Sequence, residues 1–234
     1  KAAVATIDEV RRRNRLPIIC GGTGLYLKAL CEGLAPVPEV PHEVVAVARE
    51  LYDIEGPAFF HALLREIDPE AADRLPATDR QRLIRAYSVR QATGRTLDDW
   101  KSMQTPGSPV KGPFFVVNLK PPREDLYDRI NRRLISMVER GALDEVRRLG
   151  SPLRRDIPAL KALGVTEFGR YIDGQCCLKE AIEKSQRGTR NFAKRQATWF
   201  RNNLTANLIV EAFGECSQKV VIRKFLDGSN CLNN

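Results

Sequence analysis

EAIEKSQRGTRNFAKRQATWFR, residues 180–201, is the stretch around which the rest of the chain is organised. Wound as an α-helix at about 100° per residue, it places four cations within a sector roughly 60° wide. These four, named here the cationic row, are Arg187, Arg190, Lys194 and Arg201. The opposite side carries Ala181, Ile182, Phe192, Ala193, Trp199 and Phe200. The pattern predicts a helix that packs on a core with one side and presents cations on the other.

The cationic row contains no acidic residue. A helix that is merely soluble usually interleaves opposite charges, because i,i+4 ion pairs stabilise it slightly. A row without acidic partners therefore indicates an anionic ligand, and diphosphate and the nucleic-acid backbone are the candidates. A plain solvated basic face is the alternative interpretation, since long charged side chains commonly cover surface helices.

Composition predicts a globular protein with a phosphate-bearing partner. The chain has 234 residues, 43% of them apolar, which is ample material for a core. Its net charge of +9 favours partners such as nucleic acid over acidic or neutral proteins. Six cysteines without a CxxC pair and only two histidines argue against a zinc site, and no metal-binding residue is predicted in this chain. The absence of a signal peptide or a long apolar run predicts a reduced, soluble, cytoplasmic protein without a membrane partner.

The first 34 residues read as part of an α/β core. Residues 1–15 have helical spacing, and Pro17–Cys20 is a short apolar run typical of a buried strand. A helix that leads directly into a strand with no earlier strand to pair with suggests a missing N-terminal part. Gly21, Gly22 and Gly24 then permit a tight turn into a helix, which is either an anion or nucleobase site or a plain connection. This turn does not match the phosphate loop G-x-x-x-x-G-K-[ST].

Residues 35–112 read as an all-helical insertion, with successive amphipathic helices after a proline-rich entry. Within it, Thr78 and Gln81 have the T-x-x-Q spacing of a capping box. The neighbouring Arg80, Arg82 and Arg85 could also contact RNA, and the two roles are compatible.

Residues 113–213 read as the remainder of the core with C-terminal helices. The pattern predicts a strand over 113–119, two helices after Pro122 that are broken at Gly141, a helix beginning near Cys177, and a last strand over 207–213. Residues 214–234 show no clear pattern, and we expect a frayed tail there.

Five segments together resemble one family, the tRNA dimethylallyltransferases, also called tRNA isopentenyltransferases. They are LPIICGGTGLYLKALCEGL (16–34), DRQRLIRAYSVRQATGRTLDDW (79–100), RINRRLISMVERGALDEV (129–146), PALKALGVTEF (158–168) and TRNFAKRQATWFRN (189–202). The segments follow the family's order and cover most of residues 16–202. The resemblance implies an α/β fold with a P-loop NTPase-like parallel-sheet core, incomplete here, and an all-helical insertion domain.

The resemblance implies transfer of a dimethylallyl group from dimethylallyl diphosphate to N6 of the adenosine 3′ of the anticodon, with Mg²⁺ assisting departure of diphosphate. Negative charge builds on diphosphate as the allylic carbon–oxygen bond breaks, so fixed cations stabilise the transition state. On this hypothesis Arg190 and Lys194 are catalytic, and Arg187 and Arg201 are further diphosphate-binding residues. A monomer that binds the tRNA anticodon stem-loop is expected.

The family's tRNA contacts are expected at three places in this sequence. Thr23 corresponds to a residue beside the target adenosine. Gln81, Arg82, Leu83, Ile84 and Arg85 correspond to a tRNA-contact turn, and Lys161, Ala162, Leu163, Gly164, Val165 and Thr166 correspond to a tRNA-facing loop. The sequence departs from the family at Val165-Thr166, where an aromatic and a basic residue are frequent, and at Val45, where relatives often have a basic contact.

The family's phosphate loop and its acidic proton acceptor precede the first matching strand, and this sequence does not contain them. We therefore expect residues 1–234 alone to lack catalysis. Two other functions stay open: a non-catalytic RNA-binding protein, and an adenylate isopentenyltransferase that acts on free AMP. The long helical insertion argues against the second, because a free nucleotide needs no arm around an anticodon stem.

Overall fold

Helices dominate the computed structural model, which describes residues 2–103, 107–150, 160 and 162–230. The helices in this part of the chain are α1 (Ala2–Arg12), α2 (Gly24–Cys31), α3 (His42–Ile67), α4 (Pro69–Arg74), α5 (Arg80–Thr93), α6 (Leu97–Ser102), α7 (Arg123–Glu139), α8 (Ala142–Arg148), α9 (Val165–Ile172), α10 (Leu178–Asn203) and α11 (Glu215–Asn230). The strands are β1 (Val117–Leu119) and β2 (Leu208–Val210). The coarse fold is therefore mostly helical with a small parallel sheet.

The chain divides into two compact units. The first consists of the described residues of 1–18 and 25–112, and the second of those of 19–24 and 113–234. The first unit ends at Gly112.

The first unit is built around α3, α4 and α5, as the amphipathic patterns predict. Phe60 is fully buried, and its ring contacts the rings of Tyr52 and Tyr87 at centroid distances of 5.4 and 5.1 Å. Gly56, with φ of 83°, interrupts the regular path of α3 just before Pro57, which divides this helix into two amphipathic segments. Helices α3 to α6 confirm the amphipathic helices predicted within 35–112.

The predicted capping box at Thr78 and Gln81 is wrong. The residue that caps α5 is Asp79, whose carboxylate accepts a hydrogen bond from the Arg82 backbone N–H at 3.4 Å. Aspartate accepts more strongly than a threonine hydroxyl, and its position immediately before Arg80 sets the start of the helix. A capping box does occur at α6, where Thr96 and Asp99 accept from each other's backbone N–H at 3.1 and 2.7 Å.

An ion pair ties the end of α4 to the start of α6. Arg74 donates a hydrogen bond to Asp98 and holds the pKa of that carboxyl below its ordinary value. The pair lies at the surface, so it orients the two short helices more than it stabilises them.

The second unit packs α7, α8, α9 and α10 around Leu134, Val146, Phe168 and Ala181. Gly141 has φ of 98° and separates α7 from α8, as its position in the sequence predicts. The small sheet lies in the same unit. Its strands are parallel, with Val117, Asn118 and Leu119 opposite Leu208, Ile209 and Val210.

The strand predictions are confirmed over three residues each for 113–119 and 207–213, and Asn207 reinforces the pairing. Its side-chain oxygen accepts from the Val116 N–H at 2.7 Å, while its own N–H donates to the Val116 carbonyl at 2.9 Å. The strand predicted over Pro17–Cys20 is absent, and Ile18 is 79% exposed. A strand needs a ladder partner, and in the described residues β1 and β2 pair only with each other.

The frayed tail predicted after residue 213 is wrong over its described part, where α11 runs from Glu215 to Asn230. Phe225 packs its ring edge-on against Phe115 at a centroid distance of 5.5 Å. That contact joins α11 to the strand region, and the sequence spacing alone does not reveal it.

Among the helices described, none is long and apolar enough to cross a membrane.

Candidate functional site

The candidate site is organised by α10, whose start near Cys177 is confirmed. The backbone N–H of Cys177 donates to the Glu180 carboxylate at 3.4 Å, which satisfies a donor at the helix entry. The side toward the core carries Ala181 and Ser185, both fully buried. Ser185 donates its hydroxyl to the Ala181 carbonyl at 2.7 Å, so this buried polar group is satisfied within the helix.

The cationic row lies away from that core side, as predicted. Arg187, Lys194 and Arg201 are exposed, and Arg190 is half-buried. Within the part of the chain that the structure describes, none of the four forms an ion pair with a carboxylate. Their charge is therefore available to an external anion.

Arg190 differs from the rest of the row because neutral groups on α7 hold its guanidinium. Its Nη1 donates to the Asn131 side-chain oxygen at 2.6 Å, and its Cζ lies 5.9 Å from the centre of the Tyr127 ring. Gln186, one turn earlier on α10, donates to the Asn131 carbonyl at 3.2 Å. Sequence reasoning singled out neither Asn131 nor Tyr127, and nothing in their local pattern could have, because both act across a helix–helix contact.

The apolar side of α10 is only partly as predicted. Trp199 and Phe200 are half-buried, with their rings edge-to-face at 5.4 Å. Phe192, however, is 42% exposed, and its assignment to the packing face is wrong. The guanidinium of Arg195 lies 5.8 Å from the Phe192 ring centre, so a cation covers part of the ring that the core does not.

The glycine turn before α2 is docked on α10. Gln196 donates its side-chain amide to the Gly22 carbonyl at 2.8 Å. A Cβ at Gly22 would overlap the Gln196 side chain, and a Cβ at Gly24 would overlap the Trp199 ring. Neither glycine has a left-handed φ. Close approach of the Trp199 ring is what requires Gly24, whereas a Cβ at Gly22 would meet the movable end of the Gln196 side chain. Thr23 lies between the two and is exposed.

The segment 162–166 also packs on α10. Gly164 is buried with φ of 93°, and a Cβ there would lie 3.3 Å from the Phe168 ring and 3.8 Å from the Ser185 hydroxyl oxygen. Leu163 is 46% exposed, and its Cδ2 lies 3.6 Å from where a Cβ on Gly188 would be. Val165 and Thr166 begin α9. Lys161 lies outside the described residues.

Both docked segments lie on a different side of α10 from the cationic row. Gln196 and Lys194 are about 160° apart around the helix axis, and Gln196 and Arg190 about 120° apart, by the 100° turn per residue. Arg195 lies about 40° from Trp199 around the axis and about 80° or more from each member of the cationic row. One helix therefore carries the candidate anion residues and two candidate RNA segments, without bringing Lys194 and Thr23 to one face.

The predicted RNA residues in the first unit belong to the first turns of α5 rather than to a turn between helices. The side chains of Leu83 and Ile84 are buried in the core, which leaves Gln81, Arg82 and Arg85 as exposed candidates. Arg82 lies 3.5 Å from the Asp79 carboxylate. Arg85 forms no ion pair among the described residues. In the same part of the chain, no three His, Cys, Asp or Glu side chains are grouped to hold a metal ion.

The comparisons with known proteins identify the family of the chain. The sequence model of the family described as IPP transferase matches residues 1–203. The chain belongs to this family.

Individual relatives carry more specific names. The chain is 45% identical over 205 residues to a tRNA dimethylallyltransferase of Phenylobacterium zucineum, covering 87% of this chain and 66% of that protein. It is 46% identical to the enzyme of that name in Rhodospirillum rubrum, covering 89% and 64%, and 40% identical to that of Rhodospirillum centenum, covering 99% and 72%. The chain thus spans about two thirds of the length of the curated relatives it matches.

Solved structures are similar to the chain as well. The full-length tRNA isopentenylpyrophosphate transferase of Bacillus halodurans is similar with a TM-score of 0.61 and 32% identity, covering 97% of this chain and 71% of that one. A eukaryotic dimethylallyltransferase acting on tRNA shares the fold with a TM-score of 0.64 at 23% identity, covering 85% and 50%.

Proposed function

We propose that this chain is part of a tRNA dimethylallyltransferase, which transfers a dimethylallyl group from dimethylallyl diphosphate to N6 of the adenosine 3′ of the anticodon. The observation that carries this proposal is the cationic row of α10, whose four side chains have no carboxylate partner among the described residues. Membership of the family and the names of its relatives support the same reaction.

The proposed task of the row is to stabilise departing diphosphate. Breaking the allylic carbon–oxygen bond leaves negative charge on the diphosphate oxygens, and fixed cations there lower the barrier more than they favour the bound substrate. Arg190 is the first candidate because it is half-buried and already oriented by Asn131. Lys194 is the second, and Arg187 and Arg201 are additional contacts.

The proposed RNA contacts are the exposed members of the three predicted segments. Thr23 would lie beside the target adenosine, on a turn that Gln196 and Trp199 fix in place. Gln81, Arg82 and Arg85 would contact the anticodon stem-loop from α5. Ala162, Leu163 and Thr166, which are exposed near the start of α9, would contact it there, with Lys161 as a further proposed contact. The buried Leu83 and Ile84 would support α5 from the core instead.

The finer features of the family are also proposals here. We propose a P-loop NTPase-like core around the parallel sheet, a monomeric state, and action in the cytoplasm. Mg²⁺ is proposed from the family alone, since the described residues provide no ligand cluster that fits it.

Substrate binding tests the proposal. The 234-residue protein would be titrated with a fluorescent anticodon stem-loop, with radiolabelled dimethylallyl diphosphate in equilibrium dialysis, and with AMP as a competitor. We expect saturable binding of the RNA and of the diphosphate, no competition by AMP, and no transfer of the dimethylallyl group by this chain alone.

The other outcomes each contradict a defined part of the proposal. Binding of RNA without the diphosphate would indicate a non-catalytic RNA-binding protein. Binding of AMP in preference to the stem-loop would indicate an adenylate isopentenyltransferase. Turnover by residues 1–234 would show that this chain contains every catalytic group.

A further inference from the structure

Asn131 on α7 joins two successive turns of α10. Its side-chain oxygen accepts from Arg190 at 2.6 Å, and its backbone carbonyl accepts from Gln186 at 3.2 Å. Arg190 and Gln186 are four residues apart, so they lie on the same side of α10. All three residues are half-buried. The contact therefore fixes the Arg190 side chain while part of it stays accessible.

The chemistry of the acceptor decides what this contact does to the charge. An amide oxygen carries only a partial negative charge, so it orients the guanidinium without neutralising it. A guanidinium has five N–H donors, and the structure uses one of them on Asn131. The Tyr127 ring, whose centre lies 5.9 Å from the Arg190 Cζ, also attracts the cation without adding a negative charge. An aspartate at position 131 would place a full negative charge against Arg190.

We propose that Asn131 is a positioning residue for anion binding: it holds the Arg190 guanidinium in one orientation while leaving its positive charge and remaining donors for a diphosphate. This inference rests on the proposed function, because it takes Arg190 to contact the diphosphate. Position 131 therefore requires an amide. The nearly isosteric carboxylate of Asn131→Asp damages anion binding without damaging the fold.

The test compares Asn131→Asp and Asn131→Ala with the wild-type chain by calorimetric titration of inorganic pyrophosphate and by thermal unfolding. We expect Asn131→Ala to weaken pyrophosphate binding about threefold, as for loss of one orienting hydrogen bond. Asn131→Asp should weaken it about tenfold or more, because the new carboxylate competes for the guanidinium. The melting temperature of Asn131→Asp should equal or exceed that of the wild type, since an ion pair would join the same helices.

A matched control is Asn202→Asp, which makes the same charge change at an exposed position near the end of α10. It should leave pyrophosphate binding within about twofold of the wild type. A merely structural contact would give a different pattern: Asn131→Ala would lower the melting temperature, but both Asn131→Ala and Asn131→Asp would bind pyrophosphate as the wild type does. That result would overturn the inference.

Arg190→Ala in the same titration separates this inference from the proposed function. If Arg190→Ala loses affinity and Asn131→Asp does not, only the role of Asn131 is refuted. If the wild type does not bind pyrophosphate, or Arg190→Ala binds it unchanged, the proposed diphosphate site is refuted and the role of Asn131 with it.

Discussion

At the scale of single residues, burial distinguishes cations that the sequence treats as equivalent. The helical pattern places four cations in one sector and does not distinguish between them. They are Arg187, Arg190, Lys194 and Arg201. In the structure Arg190 alone of these is half-buried and held by an amide on a neighbouring helix. A partly desolvated cation interacts more strongly with an anion than a fully exposed one, because water screens it less. Arg190 is therefore the residue whose loss should matter most.

Arg190→Ala should weaken pyrophosphate binding about 30-fold, because a hydrogen-bonded charge contact contributes roughly 2 kcal/mol. Calorimetric titration at low salt measures this. Arg195→Ala is the matched control, since it removes the same charge from the same helix but from a position about 80° to 140° away from the members of the row. Stronger loss in Arg195→Ala than in Arg190→Ala would move the anion site to the side of α10 that holds the glycine turn.

The sequence could predict the row because it depends only on the 100° turn between successive residues of one helix. It could not predict Asn131, Tyr127 or Gln196, because their contacts join elements that are far apart along the chain. Phe192 shows the same limit: the pattern places it with the apolar residues, and only the packed structure shows that the core does not cover it.

At the scale of elements, the glycine turn and α10 are fitted to each other at close range. The sequence suggests Gly22 and Gly24 for a tight turn, which is an argument about backbone conformation. The structure gives a different reason, because the side chains of Gln196 and Trp199 occupy the space where a Cβ would lie. Thr23 takes its position from this fit.

Gly24→Ala should destabilise the second unit by about 2 kcal/mol, since the added methyl group forces the Trp199 ring out of its position. Thermal unfolding followed by tryptophan fluorescence measures this, and we expect a melting temperature lower by about 5 °C. Gly21→Ala is the control, because nothing lies within 4 Å of a Cβ at that position. Equal melting temperatures for the two variants would show that the turn does not pack on α10 in solution.

Most helices and both strands were predictable because their apolar spacing is local. The helices of 35–112, the break at Gly141, the start of α10 and the strands near 117 and 208 all follow from patterns within a few residues. The predictions that are wrong concern segments whose structure depends on contacts with residues far away in the sequence. Residues 17–20 have the composition of a strand but pair with none in the described chain, and α11 packs through Phe115, more than 100 residues away.

At the scale of the whole molecule, the two units carry different parts of the proposed function. The exposed cations of α5 lie in the first unit, and the cationic row lies in the second. The net charge of +9 supports binding of a polyanion by the chain as a whole. The proposal therefore requires that RNA binding and diphosphate binding can be impaired separately.

Arg85→Ala should weaken binding of the anticodon stem-loop and lower the salt slope of its binding constant by about 1, as for loss of one phosphate contact. Pyrophosphate binding should be unchanged. Fluorescence anisotropy over a salt series measures the binding constant of the stem-loop and its salt slope. Arg65→Ala is the control, because Arg65 is exposed but already pairs with Asp73. Equal salt slopes for Arg85→Ala, Arg65→Ala and the wild type would remove α5 from the RNA interface.

The most direct test of the central claim is a crystal structure of the 234-residue protein grown with pyrophosphate at the concentration that saturates binding in solution. The account predicts the diphosphate within hydrogen-bonding distance of the Arg190 guanidinium, with Lys194 beside it and Asn131 still accepting from Arg190. Diphosphate bound at Arg195 or elsewhere, with the cationic row in contact with solvent alone, would contradict it.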